Sequence, residues 1–342
     1  MNQTLNGIRR ILITILVAMG VGALFIVAIG ENPIDAYAAL FRGAFDGELR
    51  LGTTLAGFTP LLLTSIAFAV AAKAGAFNVG VEGEVFLGGI TAAYIGINWT
   101  FLPKPALYVA CFVGAMVVAA AWAFIPAILR AYYNVNEVCT TILMNTVALY
   151  ITSYLVSGPM SAGTANAQSL PVTVRLYQFM KPSSVNVGIF IAAITVIVII
   201  FMLQKSSWGY KIRTVGLNPT HADYVGIDSK KGFVGAMMLS GMLGGMAGCI
   251  EVLGVHGYFL NNFATGLGSN GMLAALIVKN NMVSTPFMAF FLAVLKSGAM
   301  GMQQSTGVPK SLVDTITAVF IIIATMETAF QFTKKRKKKT EE

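Results

Sequence analysis

Asn186-Val-Gly-Ile-Phe-Ile-Ala-Ala-Ile-Thr-Val-Ile-Val-Ile-Ile-Phe-Met-Leu-Gln204 runs for 19 residues without a charge. At about 1.5 Å per residue, a helix of that length is about 28 Å long, close to the roughly 30 Å hydrocarbon core of a bilayer. Nine further stretches read the same way, at about 8–30, 53–72, 76–98, 105–130, 137–157, 232–256, 267–279, 282–300 and 311–332. The pattern predicts an all-α, polytopic membrane protein of about ten hydrophobic helical elements, organised as a single transmembrane domain over 1–342. The stretch at 267–279 is too short to span alone, and 282–300 is marginal. Only Lys73-Ala74-Gly75 separates the second element from the third. Short or glycine-interrupted elements of this kind are where broken or re-entrant helices are expected.

Composition excludes most other classes. Of 342 residues, 56% are hydrophobic and 11% are charged, and the mean hydropathy is +0.75. A disordered chain, a water-soluble globular enzyme and a disulfide scaffold are all incompatible with these values. No length remains for a separate soluble catalytic domain. The net charge of +9 owes much to six basic residues, Lys334 to Lys339, in a basic tail over 333–342. A cluster directly after an apolar segment holds that end on the cytoplasmic side and attracts anionic lipid; it is no sign of nucleic acid. Cys111, Cys139 and Cys249 lack metal or redox spacing and read as small packing residues. Arg9 and Arg10 precede an apolar run of 19 residues, Ile11–Ile29. That is longer than the roughly 7–15 of a signal peptide, so an uncleaved first helix is expected.

Orientation follows from the basic residues. With both ends cytoplasmic, sixteen of the 23 Lys and Arg fall inside, and Arg42, Arg50, Lys104, Arg175, Lys181, Lys296 and Lys310 fall outside. An N-in, C-in arrangement is therefore expected. Two connections are long. Residues 158–185, which carry Pro159, Gly163, Pro171 and Pro182, should be an outer loop, irregular or with a short surface helix. Residues 205–231 should face the cytoplasm. There Asn218 is placed to cap a helix with Pro219 in its first position, so Thr220–Val225 is predicted to be a short helix closed by Gly226. Such a helix suits docking to a soluble partner.

At this loop the chain resembles a known family. Gly209-Tyr-Lys-Ile-Arg-Thr-Val-Gly-Leu-Asn-Pro-Thr-His-Ala-Asp-Tyr-Val-Gly-Ile227 is similar to the coupling loop of permease subunits of ABC importers for branched-chain amino acids, ribose-type sugars and nucleosides. Phe77-Asn-Val-Gly-Val-Glu-Gly-Glu84 resembles a stretch of the nucleoside and simple-sugar branch, as do Asn136-Glu-Val with Met144-Asn145, and Met302-Gln303 with Thr306-Gly-Val-Pro309. The likeness covers about residues 50 to 332. Glu84 stands where that branch usually has Gln. The resemblance implies a transport subunit rather than an enzyme. It implies coupling through Gly209, Arg213, Gly216, Asn218, Pro219, Ala222 and Gly226 to separate ATPase subunits, which use the ATP and Mg. It also implies a second permease, identical or related, an extracytoplasmic substrate-binding protein, and residence in a bacterial plasma membrane.

The residues themselves allow further expectations. Ionisable groups in hydrocarbon are costly and need a reason. Glu82 and Glu84, two apart on a helix, point about 200° from each other and cannot form a paired acid–base set. With Asn78 they form either a hydrogen-bonding hub or part of a pathway wall. Asn145 is expected to bond a neighbouring helix or touch substrate. Phe58, Phe77, Asn78, Glu82, Glu84 and Asn145 are the candidate substrate-pathway residues, suited to a neutral, flat, hydroxyl-rich nucleoside. Gly241, Gly244, Gly245 and Gly248 should let helices approach closely. Gly266-Leu-Gly-Ser-Asn-Gly271 matches a dinucleotide fingerprint by letter, but no strand precedes it, so its glycines are read as a bend. Glu251 and His256 lack a zinc spacing, and no metal site is expected. A phosphate-binding P-loop is absent from the sequence, so ATP hydrolysis must come from elsewhere. A secondary transporter would carry more ionisable groups deep in its spans. A channel would show rings of pore-lining residues, and an intramembrane enzyme a nucleophile and base.

Overall fold

The computed structural model describes residues 19–309, 311–316, 318 and 319. The described residues are helical, with isolated bridges and no sheet. They fall into two units: the described parts of 1–54 and 291–342, and Leu55–Phe290.

In the first unit, α1 (Met19–Ala28) and α2 (Pro33–Phe45) meet at a bend of 116°. Asn32 caps α2 by accepting from the Ile34 amide at 3.0 Å, with Pro33 in the first turn. The stretch between the first two apolar runs, whose Arg42 and Arg50 were expected outside, is thus largely helix: Arg42 lies in α2, and Arg50 lies in α3 (Gly47–Lys73). Ile26, Ala36, Leu40, Met302, Val313 and Ile316 pack together here.

The second unit holds α4 (Val81–Asn98), α5 (Lys104–Tyr133), α6 (Glu137–Ser157), α7 (Gly188–Lys205), α8 (Ser207–Leu217), α9 (Pro219–Tyr224), α10 (Ser229–Ile250) and α11 (Leu267–Ile277). Helix α12 (Thr285–Thr306) starts in this unit and ends in the first. A π-helical turn, Glu251–His256, extends α10 without a break. Its wider winding brings the His256 Nε2 to 3.6 Å from the Glu251 carboxylate, a meeting that five residues of α-helix do not give.

The centre of this unit is α10 between α4 and α5, and glycine sets its spacing. A Cβ on Gly248 would overlap the Val85 carbonyl of α4 and lie 2.7 Å from the Gly89 amide. A Cβ on Gly241 would lie 2.7 Å from the Ala119 carbonyl of α5. The small residues expected to permit close approach do so between helices of this one chain, bringing many atoms into dispersion contact. Gly248→Ala should therefore force α4 from α10 and cost about 1–3 kcal/mol. Gly57→Ala, with open space around it, should be tolerated. Thermal denaturation of the detergent-solubilised protein compares the two, and equal melting temperatures would refute this account of the packing.

Among the described residues, six helical segments are long and apolar enough to cross a membrane: α3, α5, α6, α7, α10 with its π-helical extension, and α12. The count is seven if the bent α1–α2 pair forms one span. The other elements of the ten expected have physical reasons to stand apart. Helix α4 is 18 residues long and carries two glutamates, and α11 has only 11 residues. Most of 311–332 lies outside the described residues, as do much of the first apolar run and the basic tail. Residues 158–185, expected as an outer loop, have no helix. They are tied instead to the segment after α10, through Ser169 to the Phe259 carbonyl and Val172 to the Gly257 carbonyl, both at 2.9 Å.

Candidate functional site

The turn from α3 into α4 gathers most of the polar residues singled out by sequence. Asn78 is fully buried, as are Glu84 and Ser240 to within 1%. The Asn78 amide donates to the Glu84 carboxyl at 2.8 Å and to the Ser240 hydroxyl at 2.9 Å. Its carbonyl oxygen accepts the Gly80 amide at 2.9 Å, closing the turn that starts α4. One residue thus pins the N-terminus of α4 to the middle of α10. The second Glu84 oxygen, Oε2, is buried with no hydrogen-bond partner among the described residues.

Glu82 turns to another neighbour, as the angle between positions 82 and 84 requires. Its carboxyl accepts the Gly266 amide at 3.1 Å, at the start of α11. Gly266 has φ +81°, and Gly268 lies so close to α4 that a Cβ would sit 2.6 Å from the Glu82 amide. Thr64 of α3 donates to the Leu267 carbonyl at 3.2 Å. The glycine run that matches a nucleotide motif by letter therefore seats a short helix between α3 and α4. Asn145 of α6 spends both ends of its amide on the same turn, accepting from Gly83 at 2.8 Å and donating to the Val79 carbonyl at 2.9 Å.

The aromatic candidates lie elsewhere. Phe77 packs edge-on to Phe68 at 5.0 Å, and Phe58 edge-on to Phe290 at 5.3 Å. They do not join the polar cluster. Ser240, Thr64, Gly266 and Gly268 were not among the candidates. A serine 162 residues from its amide partner leaves no trace in local spacing, whereas the glycines of 266–271 were visible and lacked only a partner.

The loop at 205–231 contains more helix than expected. Ser206 caps α8 by accepting from the Gly209 amide at 3.0 Å, so Gly209 and Arg213 are helical. Asn218 caps α9 by accepting from His221 at 3.0 Å, with Pro219 in the first turn as expected. Ala222 is fully buried, and Gly226 closes the helix at φ +79°. Asp223 receives both the amide and the hydroxyl of Ser229 at 2.9 Å, fastening α9 to the start of α10. At the other end, Gly216 rests on the turn that ends α3: a Cβ there would overlap the Lys73 carbonyl. Opposite it, Gly75 has φ +78° and presents its own bare backbone. Leu217 and Tyr224 are 87% and 86% exposed beside this joint, apolar surface on a short helical pair whose other face is fixed.

A family model described as the permease component of branched-chain amino acid transport systems matches residues 50–325. The chain belongs to this family. Its spans make it a multi-pass protein of the plasma membrane. Among curated relatives, the guanosine ABC transporter permease protein NupP of Bacillus subtilis is 33% identical over 337 residues, 96% of each chain. The glucose ABC transporter permease protein TsgB13 of Haloferax volcanii is 32% identical over 91% of this chain and 85% of its own. The nucleoside ABC transporter permease protein NupB of Lactococcus lactis subsp. cremoris is 31% identical over 94% and 91%. No solved structure matches. The permease thus carries its ABC-type likeness along nearly the whole chain, including both the α3–α4 turn and the α8–α9 pair.

Proposed function

We propose that this chain is the nucleoside permease subunit of an ATP-driven importer. The observation that carries the reading is the near full-length likeness to two nucleoside permeases. In this reading the chain itself is no enzyme. Separate ATPase subunits bind ATP and Mg and close against α9, presented on the cytoplasmic side of an N-in, C-in chain of about ten membrane elements. A second permease, identical or related, completes the pathway, and an extracytoplasmic binding protein delivers the substrate. Lipid surrounds the assembly, and nucleic acid has no part in it.

The geometry supports a division of labour among the candidate residues. Gly209, Arg213, Gly216, Asn218, Pro219, Ala222 and Gly226 build or hold the coupling pair. Asn78, Glu84 and Asn145 have their polar groups committed to helix contacts and frame the pathway. Glu82, Phe58 and Phe77 are half-buried and are the better placed of the set to meet a solute. Substrate release then follows from movement of the α3–α4 turn, which touches both α8 and this frame.

The likeness to a glucose permease favours a second reading, a simple sugar as cargo. Uptake of labelled guanosine, uridine, glucose and leucine in cells with and without this chain separates them. Nucleoside uptake alone should fall when the chain is deleted. A loss confined to glucose or to leucine would keep the transport role and overturn the nucleoside assignment.

A further inference from the structure

Among the six candidate spans, α6 is the least covered by the rest of the chain. Only 17% of its apolar window is buried, against 72% for α3. What it leaves uncovered is patterned. Cys139, Thr146, Tyr150, Tyr154 and Ser157 are all exposed. At 100° per residue they fall within an arc of about 80°. Leu143 is the one exposed apolar residue inside that arc; Val147 borders it on one side, and Ile142 and Ile151 flank it farther out on either side. The result is a strip of hydroxyl and thiol groups running the length of a membrane-spanning helix.

The neighbouring spans show what a lipid-facing surface looks like in this protein. Between Val109 and Ile125 every exposed residue of α5 is Val, Ala, Phe or Ile, and from Phe190 to Phe201 every exposed residue of α7 is Phe, Ile or Val. Interfacial anchoring does not account for the difference. Thr146 and Tyr150 lie within about 5 Å of the midpoint of α6, too deep for an aromatic belt at the headgroups. Tyr150 and Tyr154 are each 70% exposed. Hydrocarbon offers a phenol or hydroxyl no partner, and leaving such groups in it is costly.

We propose that this strip of α6 lines the aqueous translocation pathway and is a nucleoside-binding track. Tyr150 and Tyr154 present flat faces to the base, and Thr146 and Ser157 present hydroxyls to the ribose. Stacking on tyrosine is tolerant of base identity, which suits a carrier of several nucleosides. The base and ribose contacts rest on the nucleoside reading above; the water-lined face does not.

The test uses the complete transporter in cells, with Cys111→Ala, Cys139→Ser and Cys249→Ala as background. Single cysteines are placed as T146C, Y150C and S157C on the strip, and as I142C and I151C beside it. Each is probed with a charged, membrane-impermeant methanethiosulfonate, and only protein that reaches the membrane is scored. Thiols react as aqueous thiolates, so strip positions should label at least about tenfold faster than the flanks. Excess guanosine should slow labelling at T146C and S157C, which keep both tyrosines. Equally slow labelling at all five positions would overturn the proposal outright. Fast labelling unaffected by guanosine, in a transporter that imports guanosine, would overturn the binding track. If the unmodified transporter imports glucose instead, and glucose slows the labelling, the pathway face stands and the nucleoside reading falls.

Discussion

Gly216→Ala should abolish nucleoside uptake while ATP hydrolysis by the assembled transporter continues. The added methyl would meet the Lys73 carbonyl and the carbon of Ala74. These are backbone atoms, so no side-chain rotation relieves the clash, and α8 must lift from the turn that joins α3 to α4. The turn itself is constrained: Gly75 at φ +78° adopts a conformation that L side chains rarely take. In the proposed reading the ATPase would still dock on α9, because Asn218 and Asp223 hold that helix independently of Gly216. Motion of α9 would no longer reach the α3–α4 turn through α8. Transport per ATP hydrolysed should drop by at least about tenfold, the equivalent of roughly 1.4 kcal/mol of lost coupling. The amount of protein in the membrane should hardly change. Uptake at the unmodified rate would show that force enters the membrane part elsewhere.

Asn78→Ala should be the most damaging single change to the fold. It removes three hydrogen bonds and leaves three buried groups, the Glu84 carboxyl, the Ser240 hydroxyl and the Gly80 amide, without those partners. Each such group costs about 1–3 kcal/mol, so a loss of at least about 3 kcal/mol is expected even if the terms are not additive. Glu84→Ala should share much of this effect. Glu84→Gln should not, because the glutamine oxygen still accepts from Asn78. Melting temperatures of the three variants in detergent check this order. An Asn78→Ala protein as stable as the unmodified one would remove the hub from any structural role.

The apolar runs made the helices legible, because a bilayer admits few other forms for such stretches. They do not by themselves give the number of spans, which among the described residues is six, or seven with the bent α1–α2 pair. Run length marked 267–279, the 11-residue α11, as too short to cross alone, but it did not separate α4, shortened and charged at its start, from a full crossing. Helix α2 was missed although its signal was present. Asn32-Pro33 is the same cap that correctly placed α9 at Asn218-Pro219, but Asp35 and Arg42 made the segment read as loop. Within the site, Asn78, Glu82 and Glu84 were read as one group from their closeness in sequence; Asn78 and Glu84 do meet, whereas Glu82 turns to Gly266. The third member of the Asn78 cluster, Ser240, was not legible, since only the packing of α10 against α4 brings it there. Cys139 was expected in packed surroundings with the other cysteines; it is exposed, on a helix whose outer face the chain itself leaves open.

The backbone-to-backbone contacts of α10 with α4 and α5 have a mechanical consequence. Side chains that interdigitate can switch rotamers and let helices slide, but glycine faces pressed on carbonyl groups offer no such alternatives. These three helices must therefore travel as one stiff body, and any rocking during a transport cycle has to be taken up at its edges. The short chain from Lys73 to Phe77, just before the Asn78 contacts to α4 and α10, is one such edge.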